Sequence, residues 1–354
     1  MKKLWTIDRG LKTNIISNLS IEPLSHRTIE FMKIILWSGI AAFLLVGCGQ
    51  EEEVKTLRLG HGLSVDHSVH QAMVFMADRL KEKSSGKMEL KVYPSEQLGS
   101  ERECVELLQF GSLAMTKVSA AVMEGFVDKY RVLGLPYLFE SKAHAFKVLD
   151  SDVGKEILES GEAIWLRGLG FYDSGYRSFY TKERPIDTPG DLSGMKVRVM
   201  SSINAINMVK AMGGSPTPIS FGELYTALQS GVVDAAENNP PSFYLSRHYE
   251  ICKYYSIDQH TQVPDVLLIS QIIWNELSSE EQQWLQSAAN ESVEYQRELW
   301  NASEQKSMDA VKAAGVEINY PDKSPFQEAV ESVYEPFKDN EELNSLIQRI
   351  KAAS

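Results

Sequence analysis

Cysteine is scarce: Cys48, Cys104 and Cys252 are the only three in 354 residues, too few for a disulfide scaffold in a chain this long. A single bridge between Cys104 and Cys252 stays open. Each sits in a helix-like segment, ECVELLQF and HYEICKYY, where a buried thiol is expected. The motifs GxSxG, HExxH, GxxxxGK(S/T) and CxxC are all missing, which leaves hydrolase, zinc-peptidase, P-loop and thiol-redox chemistry without support. No enzymatic activity, no cofactor and no metal are expected. After residue 50 no segment approaches the roughly 20 apolar residues of a membrane span. Positive charge is also in deficit, with 36 Lys and Arg against 48 Asp and Glu and a formal net charge of -12. That balance argues against nucleic acid or an anionic membrane surface as partner. It offers no long-range attraction to an anionic ligand either, so individual arginines would have to supply a positive field locally.

One apolar run stands apart at residues 34–47, IILWSGIAAFLLVG, preceded by Lys33 and followed by Cys48. Its length and flanks fit a secretory signal better than a spanning helix. The ending Leu45-Val46-Gly47-Cys48 resembles the bacterial lipobox, which implies lipidation at Cys48 and an extracytoplasmic, lipid-anchored protein. Residues 1–47 are thus expected to be leader and signal peptide, with Met1 and Met32 as alternative starts, and 48–54 a short tether. A monomer is expected, because neither tether nor charge requires a dimer.

From Lys55 the pattern alternates between strand and helix. Leu57 and Leu59 alternate with polar neighbours, then Val69, Met73, Met76 and Leu80 recur at helical spacing. Met88, Leu90 and Val92 alternate again, residues 94–99 turn, and 101–110 read as a helix stopped by Gly111. Past residue 170, GFYDSGYRSFYT reads as one strand, MKVRVM as another, 204–212 as a helix, FGELYTALQSG as a helix and VVDAAE as a short strand. Residues 278–314 are charge-rich and helical without proline, long enough to brace two lobes. The order implies an α/β layered protein with a mainly parallel sheet. The cluster HGLSVDHSVH, with His61, His67 and His70, has the residue types of a metal site, but a capping or solvated role is expected.

Three segments carry the functional signal: SGYRSFYT around Arg177, DLSGMKVRVM around Arg198, and ELYTALQSGVVDAAENNPPSF with Glu237 and Asn238. Their order and spacing resemble the receptors of tripartite ATP-independent periplasmic (TRAP) transporters, of the dicarboxylate-receptor (DctP) type. The likeness runs from about Leu57 to the C-terminal helices, and YTALQxGxVD leading into EN is its most specific part. It implies a two-domain periplasmic binding protein fold with a ligand cleft between lobes and a long C-terminal bracing helix. The lobes fall at 55–174 plus 264–305 and at 175–263 plus 306–354. It implies ligand binding by Arg198, which grips a carboxylate through two hydrogen bonds, and by Arg177 and Asn238, with Glu237 beside them. A guanidinium fork matches a carboxylate and sheds water more readily than an ammonium. By register, Phe221 and His260 belong to the pocket of the second lobe and Glu101 and Ser119 to the first. Read from its own neighbours alone, Arg198 between Val197 and Val199 could equally be an edge residue reaching to solvent.

The longer strings GELYTALQSGVVD, AENNPPS and HYEICKYYSIDQHTQVPDVLLIS resemble the branch that takes hexuronates such as glucuronate and galacturonate. In that reading Glu101, Ser119, His260 or His70 would meet the hydroxyls, since buried hydroxyls need partners. Sialic acid is not expected: its receptors carry charged side chains where this chain has Ser119 and Val122, and DGQEN where it has Asp234-Ala235-Ala236-Glu237-Asn238. The resemblance also implies delivery to two integral membrane subunits and sodium-driven transport without ATP. Receptors for keto acids or C4-dicarboxylates, a sensor, and an exported acidic-sugar enzyme are the competing readings.

Overall fold

The structure is a computed structural model that describes residues 54–353, with Arg27, Glu30 and Lys33 from the preceding segment. The expected signal peptide, Cys48 and most of the tether lie outside the described residues. Among the described residues no helix is long and apolar enough to cross a membrane.

Two sheets organise the chain. The first contains β1 (Lys55–Gly60), β2 (Met88–Tyr93), β3 (Met115–Ser119), β4 (Leu166–Tyr172) and β10 (Asp265–Ser270), in the order β2-β1-β3-β10-β4. The second contains β5 (Arg177–Thr181), β6 (Lys196–Val199), β7 (Ser215–Pro218), β8 (Ala235–Asn238), β9 (Tyr254–Thr261) and β11 (Glu317–Asn319), in the order β11-β9-β5-β8-β6-β7. Pairing is parallel from β2 through β3, while β10 runs antiparallel between β3 and β4. This is the α/β architecture that the alternation implies, in the two lobes that the family resemblance implies, each sheet forming the centre of one lobe.

The stretch read as a single strand over 170–181 is two strands in different sheets. The break at 173–176 is the first crossing between lobes, and 262–264, joining β9 to β10, is the second. Both crossings are tied down. Asp173 N donates to Gln296 Oε1 at 2.8 Å and Gln296 Nε2 returns a bond to Asp173 O at 2.8 Å, and Ser174 Oγ donates to Val263 O. Local alternation does not expose this break, because which sheet a strand joins is set by its pairing partners, β10 for β4 and β8 with β9 for β5.

Local chemistry sets the helices. In α1 (Ser68–Lys83) Val69, Met73, Met76 and Leu80 form the buried stripe. In α2 (Glu101–Gln109) a capping box joins Ser100 and Glu103, each side chain taking the other's backbone N–H. Ser202 caps α3 (Ile203–Ala211) by accepting from Ala205 N. The bracing helix α4 (Ser279–Ala313) starts at a second capping box, Ser278 with Glu281. It places Leu285, Ala288, Ala289 and Trp300 in the first lobe's core, with Leu57, Met73 and Leu267, and Val311 in the second lobe's core, with Tyr180, Phe243 and Tyr255. The segment 306–354, expected with the second lobe, divides. β11 pairs with β9 there. Helix α5 (Glu341–Ala352) instead packs against Asp128–Gly134 and Asp152–Glu159 of the first lobe, and Ile350 O lies 2.8 Å from His144 Nε2.

Cys104 lies in α2 as expected, whereas Cys252 sits after a short turn of 3-10 helix, in the lead-in to β9. Both are buried and unbridged and belong to separate core clusters. Burial pushes the Cys104 thiol up to about 11 and the Cys252 thiol up to about 12, which removes the reactive thiolate. Iodoacetamide at pH 8 is therefore expected to leave both unmodified in the folded protein and to alkylate both in denaturant, as read by peptide mass spectrometry. A Cys104–Cys252 disulfide in those spectra would overturn this.

Candidate functional site

Between the lobes lies a cavity of about 180 Å³, below the roughly 300–1,000 Å³ of pockets for drug-sized ligands. It fits a single small metabolite. On the second lobe it is lined by Arg177, Arg198, Phe221 and Asn238; on the first by Glu96, Glu101, Lys117, Ser119 and Asp265.

Arg198 stands in the middle of β6, a strand flanked by β8 and β7, so it is not an edge residue. Strand alternation turns Val197 and Val199 into the core and Arg198 to the other face. It is 2 % exposed. Its Nε donates to Ile219 O at 2.9 Å, while Nη1 is buried with no partner. The guanidinium carbon lies 6.0 Å from the centre of the Phe221 ring. Burial lowers its pKa, and no carboxylate forms a salt bridge with it among the described residues. A buried guanidinium with an unpartnered N–H is chemically suited to receive an anion.

Arg177, by contrast, is already occupied. Its Nε donates to Glu237 Oε2 at 2.5 Å, Nη2 to Glu237 Oε1 at 3.0 Å and to Glu237 O at 2.9 Å, and Nη1 to Asn238 Oδ1 at 2.9 Å. One of its five N–H groups is left for the cavity. Burial opposes its charge, but Glu237 outweighs burial and raises its pKa. Asn238 Oδ1 also accepts from Asn239 N at 2.9 Å, so its remaining hydrogen-bonding group is the amide Nδ2. The antiparallel pairing of β5 with β8, Ser178 opposite Asn238 and Phe179 opposite Glu237, assembles this set.

Behind it lies His260. Nδ1 is 2.8 Å from Asp258 Oδ2 and Nε2 is 3.4 Å from Glu237 Oε2, with the ring against Phe179 at 4.4 Å between centroids. Burial disfavours the imidazolium, but Asp258 and Glu237 outweigh it and raise the pKa to about 9. Burial likewise works against the Glu237 carboxylate, yet Arg177 and His260 hold it down at about 2. His260 and Glu237 were expected in the pocket; they support it from behind, because β9 and β8 turn those side chains toward each other. His70 is also away from the wall, 3.0 Å from His61. The cavity is lined instead by His67, whose Nδ1 caps α1 by accepting from Val69 N at 3.2 Å. Among the described residues no cluster of three or more His, Cys, Asp or Glu is placed to hold a metal.

On the first lobe, Glu101 Oε1 accepts from Lys117 Nζ at 3.0 Å and Oε2 from Ser119 N at 3.2 Å, and Lys117 Nζ is also 3.1 Å from Asp265 Oδ2. Burial would neutralise Lys117, but Asp265 and Glu101 outweigh it and keep it charged. Ser119 Oγ accepts from Ala121 N at 3.3 Å, leaving its hydroxyl proton to donate. The expected residues Arg198, Arg177, Asn238, Glu101, Ser119 and Phe221 thus meet in one cavity. Lys117, Asp265, Glu96, His67 and Trp300 join them without having been expected. A lysine inside the apolar strand MTKVS and an aspartate opening DVLLIS were the available signal, since such charges are buried only with partners.

Residues 59–340 match bacterial extracellular solute-binding protein, family 7 (DctP). A TRAP periplasmic solute-binding protein from Bradyrhizobium sp. BTAi1, in complex with α/β-D-galacturonate, is 40% identical, with a TM-score of 0.83 over 84% of this chain and 100% of that one. One from Roseobacter denitrificans with bound β-D-glucuronate is 38% identical, with a TM-score of 0.83 over 85% of this chain and 100% of that one. The 2,3-diketo-L-gulonate-binding periplasmic protein YiaO of Escherichia coli is 32% identical over 79% of this chain and 84% of its own.

The Asp258–His260–Glu237–Arg177 network predicts a pH dependence. His260 shifts from 6.5 to about 9 on folding, so its stabilisation is complete below about pH 6.5 and is lost as pH rises through 9. The melting temperature should fall between pH 7 and 9.5, and His260→Asn should flatten that fall. Parallel profiles for the two proteins would sink the assignment.

Proposed function

The chain belongs to the bacterial extracellular solute-binding proteins of family 7, and from that we propose that it captures a hexuronate, glucuronate or galacturonate, and hands it to TRAP membrane subunits. The observation that carries the reading is Arg198, a guanidinium buried in the cleft wall with Nη1 unpartnered. A planar carboxylate satisfies it in two hydrogen bonds and neutralises its charge. The free N–H of Arg177 and the amide of Asn238 stand ready for the same carboxylate. The opposite wall carries Glu96, Glu101 and Asp265, acceptors for the hydroxyl protons of a sugar. An acid at one end and hydroxyls at the other is the pattern of a sugar acid, and it disfavours a C4-dicarboxylate, whose second carboxylate would face those acids while Lys117 is already shared by Glu101 and Asp265. The ligand-bound relatives point the same way.

Binding then works as a hinge. The crossings at 173–176 and 262–264 and helix α4 connect the lobes, and ligand contacts from both walls favour the closed arrangement. Water leaves, and each ion pair strengthens as the local dielectric falls. His260 and Glu237 hold Arg177 without touching the ligand. We place the receptor outside the cytoplasm, as a monomer held to a membrane through lipidated Cys48. No residue of the cavity is assigned a catalytic role, and the expected output is the unchanged ligand.

Two measurements test this. In a thermal-shift panel of hexuronates, aldonates, keto acids and C4-dicarboxylates, the cognate acid at 100 times its Kd should add about 2.7 kcal/mol of stability. The hexuronates should give the largest shift. In calorimetry, Arg198→Ala should lose about 2–5 kcal/mol of hexuronate binding and remain folded. Unchanged affinity in that variant would remove the carboxylate clamp; a shift with a keto acid alone would move the receptor to another substrate.

A further inference from the structure

We propose that Glu96 sets the specificity of the cleft, admitting a ligand with one carboxylate and hydroxyls at its far end and rejecting one with a carboxylate at both ends. The proposal rests on the receptor reading above and assigns the residue that reads the hydroxyl-bearing end of the ligand.

Glu96 lies in the turn after β2, at φ +58°, a left-handed conformation uncommon for a residue other than glycine. Ser95 before it is also left-handed, at φ +55°. The turn is pinned by Ser95 N donating to Leu63 O at 2.9 Å and Glu96 N donating to His61 O at 3.0 Å. Backbone strain of this kind persists where surrounding structure enforces it, and here it turns the side chain into the cavity. The carboxylate reaches across to the second lobe, where Oε1 accepts from Gly222 N at 3.1 Å. A Cβ at Gly222 would stand 2.2 Å from Oε2. Glycine at 222 therefore makes room for this carboxylate, and the seat exists only when the lobes are together.

Its charge distinguishes Glu96 from the other acids of the wall. Glu101 and Asp265 share the ammonium of Lys117, whereas no salt bridge reaches Glu96 among the described residues. Burial raises its pKa and Glu101 and Glu223 add to the rise, while the Gly222 N–H and the charge of Arg198 across the cleft offset it only in part. Negative charge is thus already crowded here. A hydroxyl donated to Glu96 relieves an incompletely bonded carboxylate, while a second ligand carboxylate adds a like charge where the first lobe's cations in the cavity, Lys117 and Arg102, are already paired. Specificity then comes from repulsion of the wrong ligand as much as from attraction of the right one.

The test is calorimetry with D-galacturonate and with galactarate, in which C1 is oxidised to a second carboxylate, on the full chain and on its Glu96→Gln variant. Glutamine keeps the shape and can still accept from Gly222 N while removing the charge. The wild type should favour galacturonate, and Glu96→Gln should narrow the galacturonate-to-galactarate affinity ratio at least tenfold. The ring-to-chain difference between the ligands is common to both proteins and cancels in that comparison. Equal ratios in the two proteins would overturn the role of Glu96 and leave the receptor reading intact. Failure of the wild type to bind galacturonate or glucuronate would overturn both together. Gly222→Ala, which displaces the carboxylate without changing charge, should weaken galacturonate binding about tenfold with an unaltered circular dichroism spectrum; full affinity there would also count against Glu96.

Discussion

Arg198 holds a positive charge inside a wall of protein where its own neighbours offer one carbonyl and the face of an aromatic ring. Burying a cation without a carboxylate costs several kcal/mol, and the chain contains 48 acidic residues that could have supplied one. Arg177, in the same cavity, shows the alternative: Glu237 is bound to it at two points. The contrast separates an arginine paired within the protein from one that is not. Keeping Arg198 unpaired demands a rigid surrounding, since any mobile acid would collapse onto it, and β6 supplies that rigidity as an interior strand between β7 and β8.

The rest of the architecture can be read as the means of bringing a ligand to that charge and closing over it. Two sheets carry opposite walls, and two short crossings and one 35-residue helix join them. Gln296, on that helix, bonds both the N–H and the carbonyl of Asp173 in the first crossing, so a side chain fixes the backbone there. Helix α5 and the segment Asp128–Gly134 add a contact between the C-terminal region and the first lobe.

Polar order inside the cleft follows from neutralisation lobe by lobe. Asp258 and Glu237 hold the charge of His260, Glu237 that of Arg177, and Glu101 with Asp265 that of Lys117. What remains uncompensated is one cation on the second lobe and acceptor oxygens on the first. That remaining bonding capacity is complementary to an anion at one end and hydrogen-bond donors at the other, as the proposed ligand has.

The sequence by itself determined the α/β alternation, the bracing helix and the two arginine-bearing strands, because strand and helix periods and capping boxes act over a few residues and are written locally. It also contained the motif order that marks the family. Tertiary structure alone decided that 166–172 and 177–181 belong to different sheets, that His260 and Glu237 stand behind the wall and His67 in it, and which arginine lacks an acid. Those outcomes depend on which face of a strand meets which neighbour across tens or hundreds of residues of chain. Pairing, burial and the balance of charge are properties of that meeting, and no local period encodes them.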